Sequence, residues 1–569
     1  MIVKSQVNAY ERLEIMLGAN DRVDRMQITR PDLTVEYVYP FLYQPVDIIY
    51  DDEGMETVRK NGEMQTLCRY TPDITGEYII KILSGENTVD TKIVSVNPSD
   101  DHGYVEVSKK DPEYFSYTDG TPFFSVGINT AFITQYGKAS GEEFGLGKGF
   151  KYIGLRQYER WFKKCSQNGV NVARIWLGHE YFNPDTENTY EFDLVQFSKI
   201  DELIKLAKKY GIKLKLTIEQ FRFFDYERTA DSASYSDDIF RKFNKRLYDN
   251  GKRCESSEEW LKDERWGKAW LAKVGELAKR YSGDTAVFMI ELWNEMNCVG
   301  KSCDVTEWNK KYLLKVKKMF KRQLVVNSLG SLDAPYVLND CYKAFCWEYS
   351  DVIQMHRYID QGAVFKVCNG HPIDMIKDGF DILPNLNKPR LLAETGAVNN
   401  CHSGPFRYYA NDDRGIIFAD TVYTPLFMKS CGTGNIWHWD ERYVEAKNLY
   451  KMFLPIKKLV ENVELDREGF ECEDFSDTEV YALLLKGKNT VLGYIRNRSD
   501  SWQNVLRDLN EPCTVKEYWL PINGITEIGV EQIWEDESAR VRVSESGLVI
   551  TDLKYGLLFK GKFGDNNNV

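Results

Sequence analysis

Residues 1 to about 105 alternate apolar and polar positions in short runs such as "LTVEYVYPFLY", "VDIIYDD" and "GEYIIKIL", with Pro, Gly, Asp and Asn between them. A period of two puts every second side chain on one face, so these runs predict antiparallel strands stacked as an N-terminal β-sandwich. In "YFSYTDGTPFFSVGIN", Asp119-Gly120 reads as a hairpin turn ahead of a strand. After about 456 the alternation returns in "EVYALLLKGKNTVLGYIRN", "CTVKEYWLP" and "LVITDLKYGLLFKGK", predicting a second, C-terminal sandwich.

Between these ends the period changes. Apolar strand-like runs alternate with amphipathic helices, the signature of a parallel sheet wound by crossover helices. Eight strands are predicted in order, at 123–129, 170–178, 212–220, 286–295, 323–329, 351–358, 390–396 and 432–440. In "RQYERWFKKCSQNG", Tyr158, Trp161, Phe162 and Cys165 recur at i, i+3, i+4 and i+7, and Gly169 stands where a C-terminal cap belongs. "FSKIDELIKLAKKYG" repeats the plan and ends at Gly211. Eight such units close a (β/α)8 TIM barrel. The predicted fold class is therefore α/β, a barrel over 106–455 flanked by β-sandwiches over 1–105 and 456–569. The long polar stretch from about 221 to 260 falls after the third strand, where loops shape a site.

A formal charge of −12 repels phosphate backbones and anionic lipids, and the basic run "KKYLLKVKKMFKR" reads as a solvated helix face. Nucleic-acid and membrane partners are not expected. The start "MIVKSQVNAYERLEIMLG" lacks a continuous apolar segment, so a cytoplasmic location is the expectation. The 12 cysteines include no C-x-x-C, and reduced thiols are expected. No pair of the histidines has ligand spacing, so neither metal nor cofactor is expected.

Barrels of this kind keep their chemistry at the C-terminal strand ends. Those ends carry Asn129, Arg174, Glu219, Asn294 with Glu295, His356 with Tyr358, Glu394, and Trp437 with Trp439 and Asp440. Cleavage of a glycosidic bond needs two carboxyls, one to protonate the departing oxygen and one to attack or stabilise the anomeric carbon. Glu295 ends the fourth predicted strand and Glu394 the seventh, positions that face each other across a closed mouth. Glu291 lies on the same strand face as Glu295 but deeper, where a structural role is expected. Glu180, with His179, is a candidate for outer sugar hydroxyls, Glu219 for an inner one, and His438 is expected to face the helices.

"WNE" at 293–295 together with "LLAETG" around Glu394 resembles the retaining glycoside hydrolases of clan A, cellulase-like and related to family 5. The resemblance covers about 120–455. It implies that Glu295 is the acid/base and Glu394 the nucleophile, that Arg174 lies beside that nucleophile, and that the Tyr358 phenol of "HRY" bonds it. It also implies that Trp437 or Trp439 forms the platform under the sugar. Asn294-Glu295 is followed by Met296 where many clan members have proline. Glu295 needs a raised pKa, for which an apolar wall such as Trp293 or Trp437 and the charge of Glu394 would serve, and Asn294 is placed for the sugar 2-hydroxyl. The expected activity is a retaining β-glycosidase on an oligosaccharide substrate, exo-acting. The alternatives are an endo-acting β-glycanase of cellulase or mannanase type and a non-catalytic carbohydrate-binding protein. The aromatic-rich terminal domains would permit a homo-oligomer.

Overall fold

The computed structural model describes the chain apart from residues 1–2, 19–22, 53, 134–153, 179–180, 187, 189, 221–246, 249–251, 255, 299–301, 336, 339–346, 441 and 565–569. His179 and Glu180 therefore lie outside the described residues, as does most of the stretch from 221 to 260.

Among the described residues, five parallel strands run side by side in one sheet: Gly127–Asn129, Val172–Trp176, Lys213–Glu219, Val287–Trp293 and Leu324–Val326. Ile353–His356 pairs in parallel with Arg390–Glu394. The fifth and sixth strands are joined where the Asp351 amide donates to the Val325 carbonyl at 3.1 Å. The predicted eighth strand is not a regular one. It is a stave held by isolated parallel bridges, in which Ile436 meets both Ile128 of the first strand and Thr395 just after the seventh. That double bridge closes the barrel.

Local chemistry explains the helical layer. Helix Leu155–Gln167 buries Leu155, Tyr158, Trp161, Phe162 and Cys165, the stripe read from the sequence. Gly169, at φ +84, takes the left-handed conformation that lets the chain turn into the second strand. Helix Leu194–Lys209 is capped by Asp193, whose carboxylate accepts the Val195 amide at 2.9 Å. At the bottom of the barrel the Asp119-Gly120 turn joins Phe115–Tyr117 to Pro122–Phe123. Phe115 and Phe123 pack with Val172, Leu324 and Leu391 from the starts of barrel strands and so plug that end.

At the N-terminal end, a five-stranded sheet (Gln6–Asn8, Asn87–Asn97, Gly76–Ser84, Arg25–Thr29, Val35–Val38) and a three-stranded one (Leu13–Leu17, Gln65–Tyr70, Phe41–Tyr43) share one apolar cluster. Arg69 ties this unit to the barrel through a bidentate pair with Asp201, at 2.6 and 2.9 Å. A further hairpin, Val46–Tyr50 with Glu56–Lys60, brings Glu56 to the amide of Leu155 at 2.7 Å and the hydroxyl of Tyr181 at 2.5 Å. The C-terminal sheets share a cluster of their own. Along Val480–Lys486, Val480, Ala482 and Leu484 face that cluster, whereas Tyr481, Leu483 and Leu485 belong to the barrel's. This strand is buried on both faces, which accounts for its nearly unbroken apolar run. The described cysteines are free thiols, and no described helix is long and apolar enough to cross a membrane.

Arg496 is fully buried where the C-terminal unit meets helix Ile416–Tyr423, donating to Asp420 at 2.8 Å and Asp500 at 2.7 Å. Removing one member of a buried ion cluster leaves uncompensated charge and costs about 3–5 kcal/mol. Arg496→Met is therefore expected to lower the midpoint of thermal unfolding by roughly 3–4 °C. An unchanged midpoint in a calorimetric scan would show that the cluster is not holding the two units together.

Candidate active site

The fourth strand ends in a sharp turn. The amide of Asn294 donates to the carbonyl of Glu219 at 2.9 Å, that of Glu295 to the Ser328 hydroxyl at 3.0 Å, and that of Met296 to the Ser328 carbonyl at 3.1 Å. Glu295 itself is left-handed at φ +47, a conformation costing a non-glycine residue about 1–2 kcal/mol and kept here by its neighbours on both sides. The turn swings the carboxyl over the mouth. Ligating-type atoms of Glu295, His356 and Glu394 all lie within 4.8 Å of one another, so the two carboxyls predicted from opposite sides of the barrel share one hollow.

Arg174, fully buried at the second strand, organises this hollow. One terminal nitrogen of its guanidinium donates to Glu394 and, at 3.3 Å, to Oδ1 of Asn129; the other donates to Glu291 and, at 2.7 Å, to Oδ1 of Asn294. Asn129 in turn uses its amide nitrogen on the carbonyls of Ala393, Asn435 and Ile436, pinning the first strand to the seventh and to the eighth stave. Tyr358 donates its hydroxyl to the second oxygen of Glu394 at 2.6 Å. His356 places Nδ1 2.9 Å from Glu295 and 3.3 Å from Glu394.

These contacts separate the two acids. Burial pushes the Glu295 carboxyl well above the usual range, and the charge of Glu394 pushes it further. Burial also raises Glu394, but there Arg174 and the Tyr358 hydroxyl pull the other way. Of the two, Glu295 therefore holds a proton the more firmly. Burial and the nearby Arg174 charge hold His356 well below its ordinary value, so the ring is neutral. Beneath them, burial opposes ionisation of Glu291, yet Arg174 and Lys215 outweigh it and keep this carboxyl well below the usual range.

The aromatic residues are divided between two surroundings. Trp437, 8% exposed, meets Trp176 at 5.1 Å between ring centroids and Phe132 at 6.1 Å. Trp439 is 1% exposed and packs edge-on against Trp161 of the first helix as well as against Trp437 and Phe132, so of the two Trp437 is the more exposed. A tight turn in which the Trp439 amide donates to the Trp437 carbonyl at 2.9 Å breaks the alternation that would have aligned them. Trp293 packs against Trp260 and Trp308 of the helical layer, so burial as such, and not a Trp293 wall, leads in raising Glu295. His438 packs on Tyr409, and Asp440 is buried next to Arg442.

Glu219, predicted to reach a sugar hydroxyl, is instead joined to Lys273, which also reaches Asp185 at 3.0 Å. Its charge is met by protein at a strand end that is 1% exposed. Sequence reading passed over Trp176, Ser328, Lys215 and Gln354. Lys215 and Gln354 had a signal: each is a polar residue inside a strand buried on both faces, two residues before another inward group, Thr217 and His356 respectively. A second cluster, Asp333, Asp360 and His402, also brings ligating-type atoms within 4.8 Å. The Asp360 carboxylate already accepts the amides of Gly362, Cys401 and His402 at 2.7, 2.9 and 3.2 Å, so it folds a loop.

Residues 138–413 match the family model "Cellulase (glycosyl hydrolase family 5)". Over 183 residues the chain is 26% identical to mannan endo-1,4-beta-mannosidase A of Emericella nidulans, a stretch that makes up 30% of this chain and 43% of that relative. The chain thus spans less than half the length of that curated relative. The crystal structure of a candidate glycoside hydrolase from Bacteroides vulgatus superposes over 98% of this chain and 100% of its own, with a TM-score of 0.56 at 14% identity, a likeness of fold. Over residues 138–413 the barrel that holds Glu295 and Glu394 accordingly resembles a glycoside hydrolase domain of family 5, the cellulase family.

Proposed function

We propose that the protein is a retaining β-glycosidase that hydrolyses β-linked oligosaccharides by double displacement, with β-mannosides first among its substrates. The observation that carries this reading is the approach of Glu295 and Glu394 to within 4.8 Å, with Arg174 and Tyr358 both bonded to Glu394. Retaining enzymes hold their carboxyls about 5–5.5 Å apart, whereas inverting ones leave roughly 6.5–9.5 Å for a water. The family match and the name of the mannan-degrading relative support the substrate class.

In the first step an ionised Glu394 oxygen attacks the anomeric carbon while Glu295 passes its proton to the departing oxygen. Arg174 already takes the carbonyl of Asn294, so the amide N–H groups are left to meet the sugar 2-hydroxyl as positive charge develops. Trp437 offers an indole face to the C–H face of the ring. Once Glu394 is esterified its charge is gone, the repulsion that raised Glu295 disappears, and Glu295 becomes a base that takes a proton from water. Exo action is supported by the hairpin carrying Glu56, which bonds the start of the first helix and the loop after the second strand and so stands beside the mouth. The same proposal takes the terminal units as β-sandwich domains with boundaries near 105 and 455, on the ground that two sheets at each end share one apolar cluster.

A panel of aryl β-glycosides tests the reading. Glu394→Gly is expected to lose turnover by roughly ten-thousand-fold, and azide to restore part of it as a glycosyl azide of inverted configuration. Full activity in that variant would sink the nucleophile assignment. With β-1,4-mannooligosaccharides, monosaccharide alone is expected from the first turnovers; a mixture of shorter chains would instead establish endo action.

The pH–rate profile should be bell-shaped, activity falling at low pH as Glu394 is protonated and at high pH as Glu295 loses its proton. Glu295→Gln should abolish the alkaline limb on substrates whose leaving group needs no acid. Tyr358→Phe removes a donor that favours ionised Glu394, so the acid limb should move to higher pH, by about one pH unit. Movement to lower pH would contradict the assigned hydrogen bond.

A further inference from the structure

Below the catalytic pair lies a second layer of charge to which the double displacement gives no task. Lys215, from the third strand, places Nζ 2.5 Å from Glu291 of the fourth and 2.6 Å from Oε1 of Gln354 of the sixth. Gln354 donates from Nε2 to Glu291 at 3.2 Å and to the Asn327 carbonyl at 2.8 Å. Ser328, after the fifth strand, donates to Glu291 at 3.0 Å. Lys215, Glu291 and Gln354 are buried, and Glu291 completes the layer by binding the guanidinium nitrogen of Arg174 that Glu394 does not use.

We infer that Lys215 and Glu291 are positioning residues, a charged floor that sets how much of the Arg174 charge reaches Glu394 and holds that guanidinium in place while Glu394 gains and loses its negative charge. The inference rests on the proposed retaining mechanism. Its logic is one of balance. Arg174 and Lys215 supply two positive charges, and Glu291 and Glu394 two negative ones. When Glu394 is esterified, one anion vanishes from a dry site, and only Glu291 remains to hold Arg174. A guanidinium without that second partner would shift toward whatever acceptor remained, Asn129 or Asn294, and the nucleophile would have to re-form its pairing each cycle. Burial also pushes the Lys215 ammonium down to about 8, against the pull of Glu291, so the floor is itself a titrating unit.

The floor has a sign. Glu291→Gln removes an anion and, below the pH at which Lys215 loses its proton in that variant, leaves two cations against one anion, which favours ionised Glu394 and ionised Glu295, so both limbs of the pH profile should move down there. Lys215→Met removes a cation and should move both limbs up. Gln354→Glu, close in size to the natural residue, adds an anion at the same place and should also move them up. The double variant Lys215→Met/Glu291→Gln should return toward the wild-type profile, and Lys215→Arg should keep it. The other groups facing the pair are unchanged throughout: Tyr358, neutral His356, and Asp333, whose charge adds to the raising of Glu295. The buried Cys431 thiol near Lys215 is held neutral by burial.

The experiment is a titration of the Glu295 and Glu394 carboxyls by carbon-13 NMR on the full-length protein and each variant, alongside pH–rate profiles on an aryl β-glycoside. Shifts of about one pH unit, tenfold in ionisation constant, are expected, opposite in sign for Glu291→Gln and Lys215→Met. We expect kcat to fall in the variants with KM nearly unchanged, because neither residue reaches substrate. Shifts of the same sign in both variants, or none in folded protein, would overturn the floor. If Lys215→Met does not fold, Gln354→Glu supplies the upward arm. If no aryl glycoside is turned over by the wild type, the retaining mechanism fails while the carboxyl titration still decides whether the floor controls the pair.

Discussion

Every feature of the site depends on Arg174 having two carboxylates and only one charge. Taking a guanidinium fully out of water is costly, and only anions on both sides make its burial tolerable. Glu291 supplies one from below and Glu394 the other from the mouth. Because this pairing offsets the burial of Glu394, a proton shared between the two carboxyls favours Glu295. The opposite roles proposed for two identical side chains therefore follow from where one cation was placed, not from anything intrinsic to the glutamates.

The backbone makes the same division in another way. Glu394 ends the strand Arg390–Glu394, whose pairing with the sixth strand skips Ala393, and its carboxyl is held from two sides by Arg174 and Tyr358. Glu295 sits after its strand in a left-handed turn held by Ser328, and its side chain keeps 15% exposure. In the proposed double displacement the nucleophile must stay aligned with one carbon, whereas the acid/base must reach a leaving oxygen and later a water. Ser328 couples the two levels, since the hydroxyl that accepts the Glu295 amide also donates to Glu291. The strain of the turn is thereby carried by the buried charge layer beneath it.

Much of this was legible in the chain, and the exceptions have local causes. The strand positions, the helix stripes and the carboxylates at the fourth and seventh strand ends could be read because period and strand order determine which residues reach the mouth. What could not be read is what happens where a strand stops being regular. Trp439 is brought edge-on to both Trp437 and Trp161 by a tight turn at Trp437. Glu219 found a lysine 54 residues further along, a pairing no spacing rule anticipates. Lys215 and Gln354 were visible as polar residues in apolar strands, but their meaning depends on three strands converging on Glu291. The loop at 396–415 takes its shape from Asp360, which holds Cys401 and His402 in left-handed conformations through their amides.

The terminal units are tied to this chemistry by a short mechanical path. Arg496 and Tyr494 of the C-terminal sheet both bond Asp420 at 2.8 Å, fixing helix Ile416–Tyr423 from outside. The Val422 carbonyl of that helix accepts the Gly434 amide at 3.1 Å, and a side chain at Gly434 would collide with the carbonyl of Thr421, so helix and stave are in backbone contact. The next residue, Asn435, accepts from the amide of Thr395, adjacent to Glu394, and from the side chain of Asn129, which also accepts from Arg174. An irregular eighth stave, bridged at only a few points, would be the weak side of the barrel if left to solvent. Pressing a helix onto it from the outer sheet makes the position of Glu394 a property of the whole chain, which is why a barrel of this kind gains from being built together with its neighbour instead of standing alone.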